Sequence, residues 1–136
     1  NWNECIDKMK ELPKNITFKY MGGVKKEDVR KTFSKYDLFF FPTYNENYGH
    51  VINESLSVGT SVLISNNTPW RELDSNGLGW DFSLEENDLF VEVIEDFSKL
   101  SSDDKYQKRK DVLKKYKVYT KKENLINYYI ELFNGE

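Results

Sequence analysis

"FFFPTYNENYGHVINESLSVGTSVLIS", residues 39–65, runs from an apolar block through a polar loop into a patterned segment and back to an apolar block. Leu38 to Phe41 is continuously apolar and stops at Pro42, which suits a strand buried on both faces. Residues 50–58 read as a helix, with Val51, Ile52, Ser55, Leu56 and Gly59 on one face. Residues 61–65 are a second buried strand. Strand, helix, strand in so short a span requires a βαβ crossover and therefore parallel pairing. The fold class is α/β: a Rossmann-like parallel sheet sandwiched by helices.

The rest of the chain extends that pattern. Residues 2–12 carry apolar positions at helical spacing up to Pro13. Residues 16–21 alternate and are β-rich, and Gly22-Gly23 ends them, which predicts a strand. Residues 26–36 predict a helix, and 78–82 a weaker strand after the turn at Asn76-Gly77. Helices follow over 86–100, over the lysine-rich 104–116, and over 122–133. The predicted organisation is one domain over 1–136. It opens on a helix with no preceding strand and no methionine, so a fragment of a longer protein is expected, incomplete at its N-terminus.

The bulk numbers narrow the function. Of 136 residues, 38% are hydrophobic and 32% charged, a globular composition, and 15% are aromatic, too many for disorder. The net charge of -3 gives no basic field for nucleic acid. A single cysteine, Cys5, excludes an internal disulfide and a cysteine-cluster metal site. A single histidine, His50, excludes a multi-histidine one. No apolar run approaches the roughly 20 residues that span a bilayer, and the first residues do not resemble a signal peptide. The Asn-X-Ser/Thr patterns at Asn15, Asn53 and Asn66 are read as chance.

In open parallel sheets, ligands bind beyond the carboxyl ends of strands. Here the loop after Phe41 carries Glu46, and Glu54 follows eight positions later. With Gly49 at a helix start, the amides of His50, Val51 and Ile52 lack intrahelical acceptors and suit a phosphate. Gly49 lets an anion approach the backbone. A carboxylate repels phosphate but accepts hydrogen bonds from vicinal hydroxyls. Two carboxylates flanking a phosphate site fit a sugar–diphosphate–ribose ligand. Taken singly, Glu46 reads equally as a solvated loop acid and Glu54 as helix-dipole decoration. The Rossmann G-x-G-x-x-G and P-loop G-x-x-x-x-G-K-[ST] patterns are missing.

The unit 42–62 resembles the signature of the family 4 retaining glycosyltransferases of GT-B fold. That signature is P-[ST]-x-x-E-x-[FY]-G-x-x-x-x-E-[AS]-[LM]-x-x-G-x-[PS]-V, with E-x7-E at its centre. Pro42, Thr43, Glu46, Tyr48, Gly49, Glu54, Ser55, Leu56, Gly59 and Val62 fill it, and Ser61 stands where Pro is common. Residues 18–24 resemble the family's F-x-G-x-V strand with one residue more, and 67–73 the segment after the next strand.

The resemblance implies the donor-binding C-terminal domain of a GT-B enzyme. Glu46, the candidate catalytic residue, would bind donor-sugar hydroxyls. The backbone of Asn47, Tyr48 and Gly49 would line the sugar, and the amides of His50 and Val51 would face the diphosphate. Glu54 would hold ribose hydroxyls, and Gly22, Gly23 and Val24 would border the nucleobase. The donor implied is a UDP- or GDP-linked sugar, transferred with retention and with neither metal nor cofactor. The acceptor implied is a glycan or lipid-linked molecule held by a domain outside this chain. The family's diphosphate-binding Arg and Lys also precede residue 1, so the chain alone is expected to be inactive. Polysaccharide biosynthesis in the cytoplasm, at or near the inner membrane face, completes the expectation. A non-catalytic module of the same fold is the alternative.

Other residues carry two readings each. His50 is a catalytic base or a solvated side chain. Trp70 edges the acceptor cleft or packs, and Glu72 touches donor or is solvated. Tyr44 and Tyr48 stack on ligand or pack. The 105–122 lysines form a solvated face or meet acidic lipid. Tyr128, Tyr129 and Phe133 on the last helix are expected to be partly exposed.

Overall fold

The computed structural model describes residues 1–134, and all of their side chains except those at 128, 129 and 132–134. The order is α1 (Trp2–Lys10), a 3-10 turn (Lys26–Asp28), α2 (Val29–Phe33), β1 (Leu38–Phe41), α3 (His50–Leu56), β2 (Ser61–Ser65), β3 (Gly79–Phe82), α4 (Asn87–Lys99) and α5 (Ser102–Asn134).

The sheet is parallel, in the order β1-β2-β3, with Phe39 opposite Val62 and Leu63 opposite Trp80. The expected βαβ unit is β1-α3-β2. Strand alternation then splits the side chains into two layers. Phe39, Phe41, Val62 and Ile64 join Ile52 and Leu56 of α3, Leu73, Leu78, and Val112 of α5. Phe40, Trp80 and Phe82 face α4, where Phe90 meets Phe40 at 5.9 Å and Phe82 at 5.5 Å, and Phe97 meets Trp80 at 6.0 Å. Helices therefore cover both faces. All five β2 residues are buried, and each large one contributes about 1.5–3 kcal/mol.

Four expectations need correction. Residues 16–21 form no strand. Phe18, Tyr20 and Met21 are exposed, and no neighbouring strand takes their backbone groups among the described residues. Alternation makes a strand only where a ladder exists to join. Tyr20 instead packs on Trp2 of α1, with ring centroids 4.7 Å apart. Second, the helix expected over 26–36 is a 3-10 turn and five α residues, closing in turns in which Lys35 and Tyr36 donate to Thr32 and Phe33. Third, β1 is an edge strand among the described residues and Phe40 keeps 47% exposure, so the strand is not buried on both faces.

Fourth, the two helices expected over 104–116 and 122–133 are one, α5, of 33 residues. No Gly or Pro interrupts the span. The Val118–Thr120 stretch costs at most about 0.7 kcal/mol per residue in propensity, and the Thr120 hydroxyl bonds back to the Tyr116 carbonyl (3.0 Å). Ser101 caps the start, its Oγ accepting from the Asp104 amide at 3.1 Å. The expected exposure of the Tyr128, Tyr129 and Phe133 side chains lies outside the described residues.

Candidate functional site

Pro42 ends β1, and the following loop is tied to the end of β2. The Ser65 hydroxyl donates to the Thr43 carbonyl at 2.5 Å, and the Glu46 amide donates to the Asn67 carbonyl at 3.2 Å. Thr43 folds the loop locally, its hydroxyl donating to the Asn45 carbonyl at 2.9 Å. The loop is thereby held over the carboxyl end of the sheet.

Glu46 turns back on this loop. Its Oε1 accepts from the Gly49 amide at 3.0 Å and from the Tyr48 amide at 3.2 Å. These amides hold the carboxyl below the ordinary glutamate range, Gly49 most and Tyr48 next, with smaller help from His50 and Asn47 and some opposition from burial. Oε2 has no protein donor among the described residues. Gly49, the residue before α3, has φ 66° and ψ 30°, the left-handed region, and its carbonyl accepts from Ile52 and Asn53. The amides of His50 and Val51 donate to no protein acceptor among the described residues.

On α3, Ile52, Ser55 and Leu56 are buried, as the apolar face requires. Glu54 lies off that face, half-buried, and its carboxylate makes no hydrogen bond or ion pair among the described residues. Asn47 and His50 are exposed, and Tyr48 (74% exposed) lies over the His50 ring at 5.6 Å. Tyr44 is 88% exposed. Neither tyrosine packs inward. Gly23 and Val24 line a shallow cleft with Lys25, Asp28, Lys31, Thr32 and Lys35, and no residue of 46–54 lines it. The structure thus gathers Glu46 to Glu54 at one strand end, while Gly23 and Val24 line a cleft of their own.

Trp70 takes the packing alternative. It is half-buried, its indole closes on Gly49, and it stacks on Tyr119 with centroids 5.5 Å apart. Glu72 is exposed with φ 55°, an unusual value for a residue with a side chain. Its carbonyl is held by the Ser75 hydroxyl and by the amide and side-chain nitrogens of Asn76.

The lysine-rich segment is not only a solvated face. Lys108 places its ammonium 5.0 Å from the Trp80 ring centroid, and Lys105 pairs with Asp37 at 3.4 Å. Arg109 donates to the Val58 carbonyl (3.2 Å), the Thr60 hydroxyl (2.9 Å) and the Tyr36 carbonyl, joining α5 to the loops that start β1 and β2. Tyr116 and Tyr119 of the same helix reach the site, Tyr116 Oη donating to Asn53 Oδ1 at 2.6 Å. Sequence reasoning missed both tyrosines because lysines dominate the segment. The stripe 109, 112, 113, 116, 119, 120 at helical spacing was the signal that could have found them.

A parallel sheet covered on both faces, with a carboxylate-bearing loop and a helix start at one strand end, defines a Rossmann-like α/β domain, as in the C-terminal domain of a GT-B fold. The family model of the glycosyl transferases group 1 matches residues 2–117, and the chain belongs to that family. No curated protein and no solved structure matches the chain. No described helix is long and apolar enough to cross a membrane.

Proposed function

We propose that this domain binds the nucleotide diphosphate sugar of a family 4 retaining glycosyltransferase through the segment 46–54. One observation carries the reading. The Glu46 carboxylate is anchored by the Tyr48 and Gly49 amides, immediately before two unbonded amides at the start of α3. Anchoring through Oε1 leaves Oε2 to accept sugar hydroxyls, with the backbone of Asn47, Tyr48 and Gly49 beside them. The His50 and Val51 amides take the diphosphate, and Glu54, one turn on, takes the ribose. Gly22 to Val24 border the nucleobase.

The depressed ionisation of Glu46 bears on its role. A general acid for glycosidic cleavage needs a raised pKa, and Glu46 is shifted the other way. It is a fixed anion and hydroxyl clamp. Rate enhancement then rests on stabilising the departing diphosphate with fixed donors, and a diphosphate oxygen takes the acceptor's proton. The donor is UDP- or GDP-linked, the transferred group a hexose, and the acceptor a glycan or lipid-linked molecule of polysaccharide biosynthesis, at the cytoplasmic face of a membrane.

The test is an amide NMR titration of the chain with UDP, GDP and their sugars. Resonances of residues 46–54 are expected to move, and Glu46→Ala and Glu54→Ala to weaken the response. Unmoved amides over 49–54 at millimolar concentrations of every ligand would sink the proposal.

A further inference from the structure

The indole of Trp70 stands between the start of α3 and the side of α5. On one side it meets Gly49 so closely that a Cβ there would lie 2.4 Å from Nε1 and 2.6 Å from Cδ1. On the other it stacks on Tyr119, ring planes 20° apart. Its backbone is fixed as well, the Trp70 amide donating to Oγ1 of buried Thr68 at 3.1 Å. One helical turn before Tyr119, Tyr116 bonds to Asn53 in the body of α3. α5 thus reaches α3 twice, through Trp70 at its start and directly at Asn53 in its middle.

Gly49 needs such a wall. Without a Cβ it has little conformational restraint of its own, and it holds a left-handed conformation. Its N–H donates to Glu46 Oε1 at 3.0 Å, the shorter of the two bonds that anchor the carboxylate, so a shift of the Gly49 backbone moves that donor. The restraint comes from outside, from an aromatic plane backed by a second aromatic plane. We infer that Trp70 and Tyr119 are positioning residues, through which α5 fixes where the Gly49 backbone lies and hence the place of the Glu46 carboxylate. The importance of that placement rests on the reading of Glu46 as the sugar-binding carboxylate. The contact chain Tyr119, Trp70, Gly49, Glu46 does not.

Core packing alone would make Trp70 and Tyr119 matter for stability and leave Glu46 untouched. The ionisation of Glu46 separates the two cases, because its largest determinant is the Gly49 N–H. His50, the charged group acting on Glu46, and Glu72, Asp81 and Glu123, the acids acting on Tyr119, stay unchanged in the variants.

The experiment follows the Glu46 side-chain carboxyl through a pH titration by NMR, with the Tyr48 and Gly49 amides in the same samples and no ligand. Trp70→Ala and Tyr119→Ala are expected to raise the Glu46 midpoint toward the ordinary glutamate value and to displace both amide resonances. Tyr119→Phe keeps the ring and is expected to match wild type. A folded Tyr119→Ala with the wild-type midpoint and wild-type Tyr48 and Gly49 resonances overturns the inference. Should Trp70→Ala fail to fold, the Tyr119 pair decides alone. UDP added to the wild type tests the donor reading separately. A moved Glu46 midpoint in the variants with no UDP response in the wild type overturns that reading and upholds the positioning chain.

Discussion

Gly49→Ala tests the close approach at the head of α3. Two costs combine. Alanine at φ 66° sits in the left-handed region, worth about 1–2 kcal/mol. The new methyl also lies 2.4 Å from Trp70 Nε1, where carbon contacts prefer about 3.5–4.0 Å. The indole must retreat by about 1 Å against Tyr119, an overpacking cost of about 1–3 kcal/mol. The sum is about 2–5 kcal/mol, a large share of the 5–15 kcal/mol typical of a domain. Gly22→Ala is the control. It has a similar φ of 69°, but nothing lies within 4 Å of the added carbon, so only the backbone cost of about 1–2 kcal/mol applies. Urea unfolding of both variants at matched slope isolates the indole contact as their difference, about 1–3 kcal/mol. In a double-mutant cycle, Trp70→Ala should recover most of that difference from Gly49→Ala. Equal costs for Gly49→Ala and Gly22→Ala would refute the contact.

Two further outcomes are expected. A carboxyl whose folded pKa is depressed adds stability above its unfolded value and loses it as pH falls through the folded one. Glu46→Gln should therefore destabilise near neutral pH and progressively match wild type as the pH falls below the ordinary glutamate pKa of about 4.3. Denaturation midpoints across that range check it, and a pH-independent difference would argue against the charge. Arg109→Lys should cost about 1.5–3 kcal/mol, because an ammonium cannot span the Val58, Thr60 and Tyr36 acceptors as a guanidinium fork does. Thermal unfolding, at about 3–5 °C per kcal/mol for a chain of this size, reads the loss.

The two apolar blocks around the polar loop placed β1, α3 and β2 correctly, because burial patterns of this strength are local and period-specific. Ile52 and Leu56 were legible as core for the same reason. What failed depended on neighbours. Residues 16–21 alternate like a strand, yet strand formation depends on a ladder partner that no local pattern reports. Phe40 reads like Phe39 and Phe41, yet its exposure follows from β1 having one hydrogen-bonded neighbour. The joint between 116 and 122 looked like a boundary because its lysines blur the apolar stripe. At the site, the spacing of Glu46 and Glu54 was plain. The closure of Glu46 onto the amides of its own loop was not, since it depends on how the Tyr48 and Gly49 peptides are turned in the folded loop. Tyr116 and Tyr119 were hidden inside a segment whose composition suggested solvent.

The unbroken helix α5 also has a mechanical consequence. It is gripped at Arg109, whose guanidinium fastens it to the start of the sheet. At 1.5 Å per residue, Tyr119 lies about 15 Å beyond that grip and residue 134 about 37 Å beyond it. A second grip follows, Tyr116 on Asn53 and Tyr119 on Trp70, so the helix is held at two places about 15 Å apart and not on a single pivot. Beyond Tyr119 the same helix exposes Leu125, Ile126 and Ile130, so its apolar surface continues about 9–17 Å past that second grip.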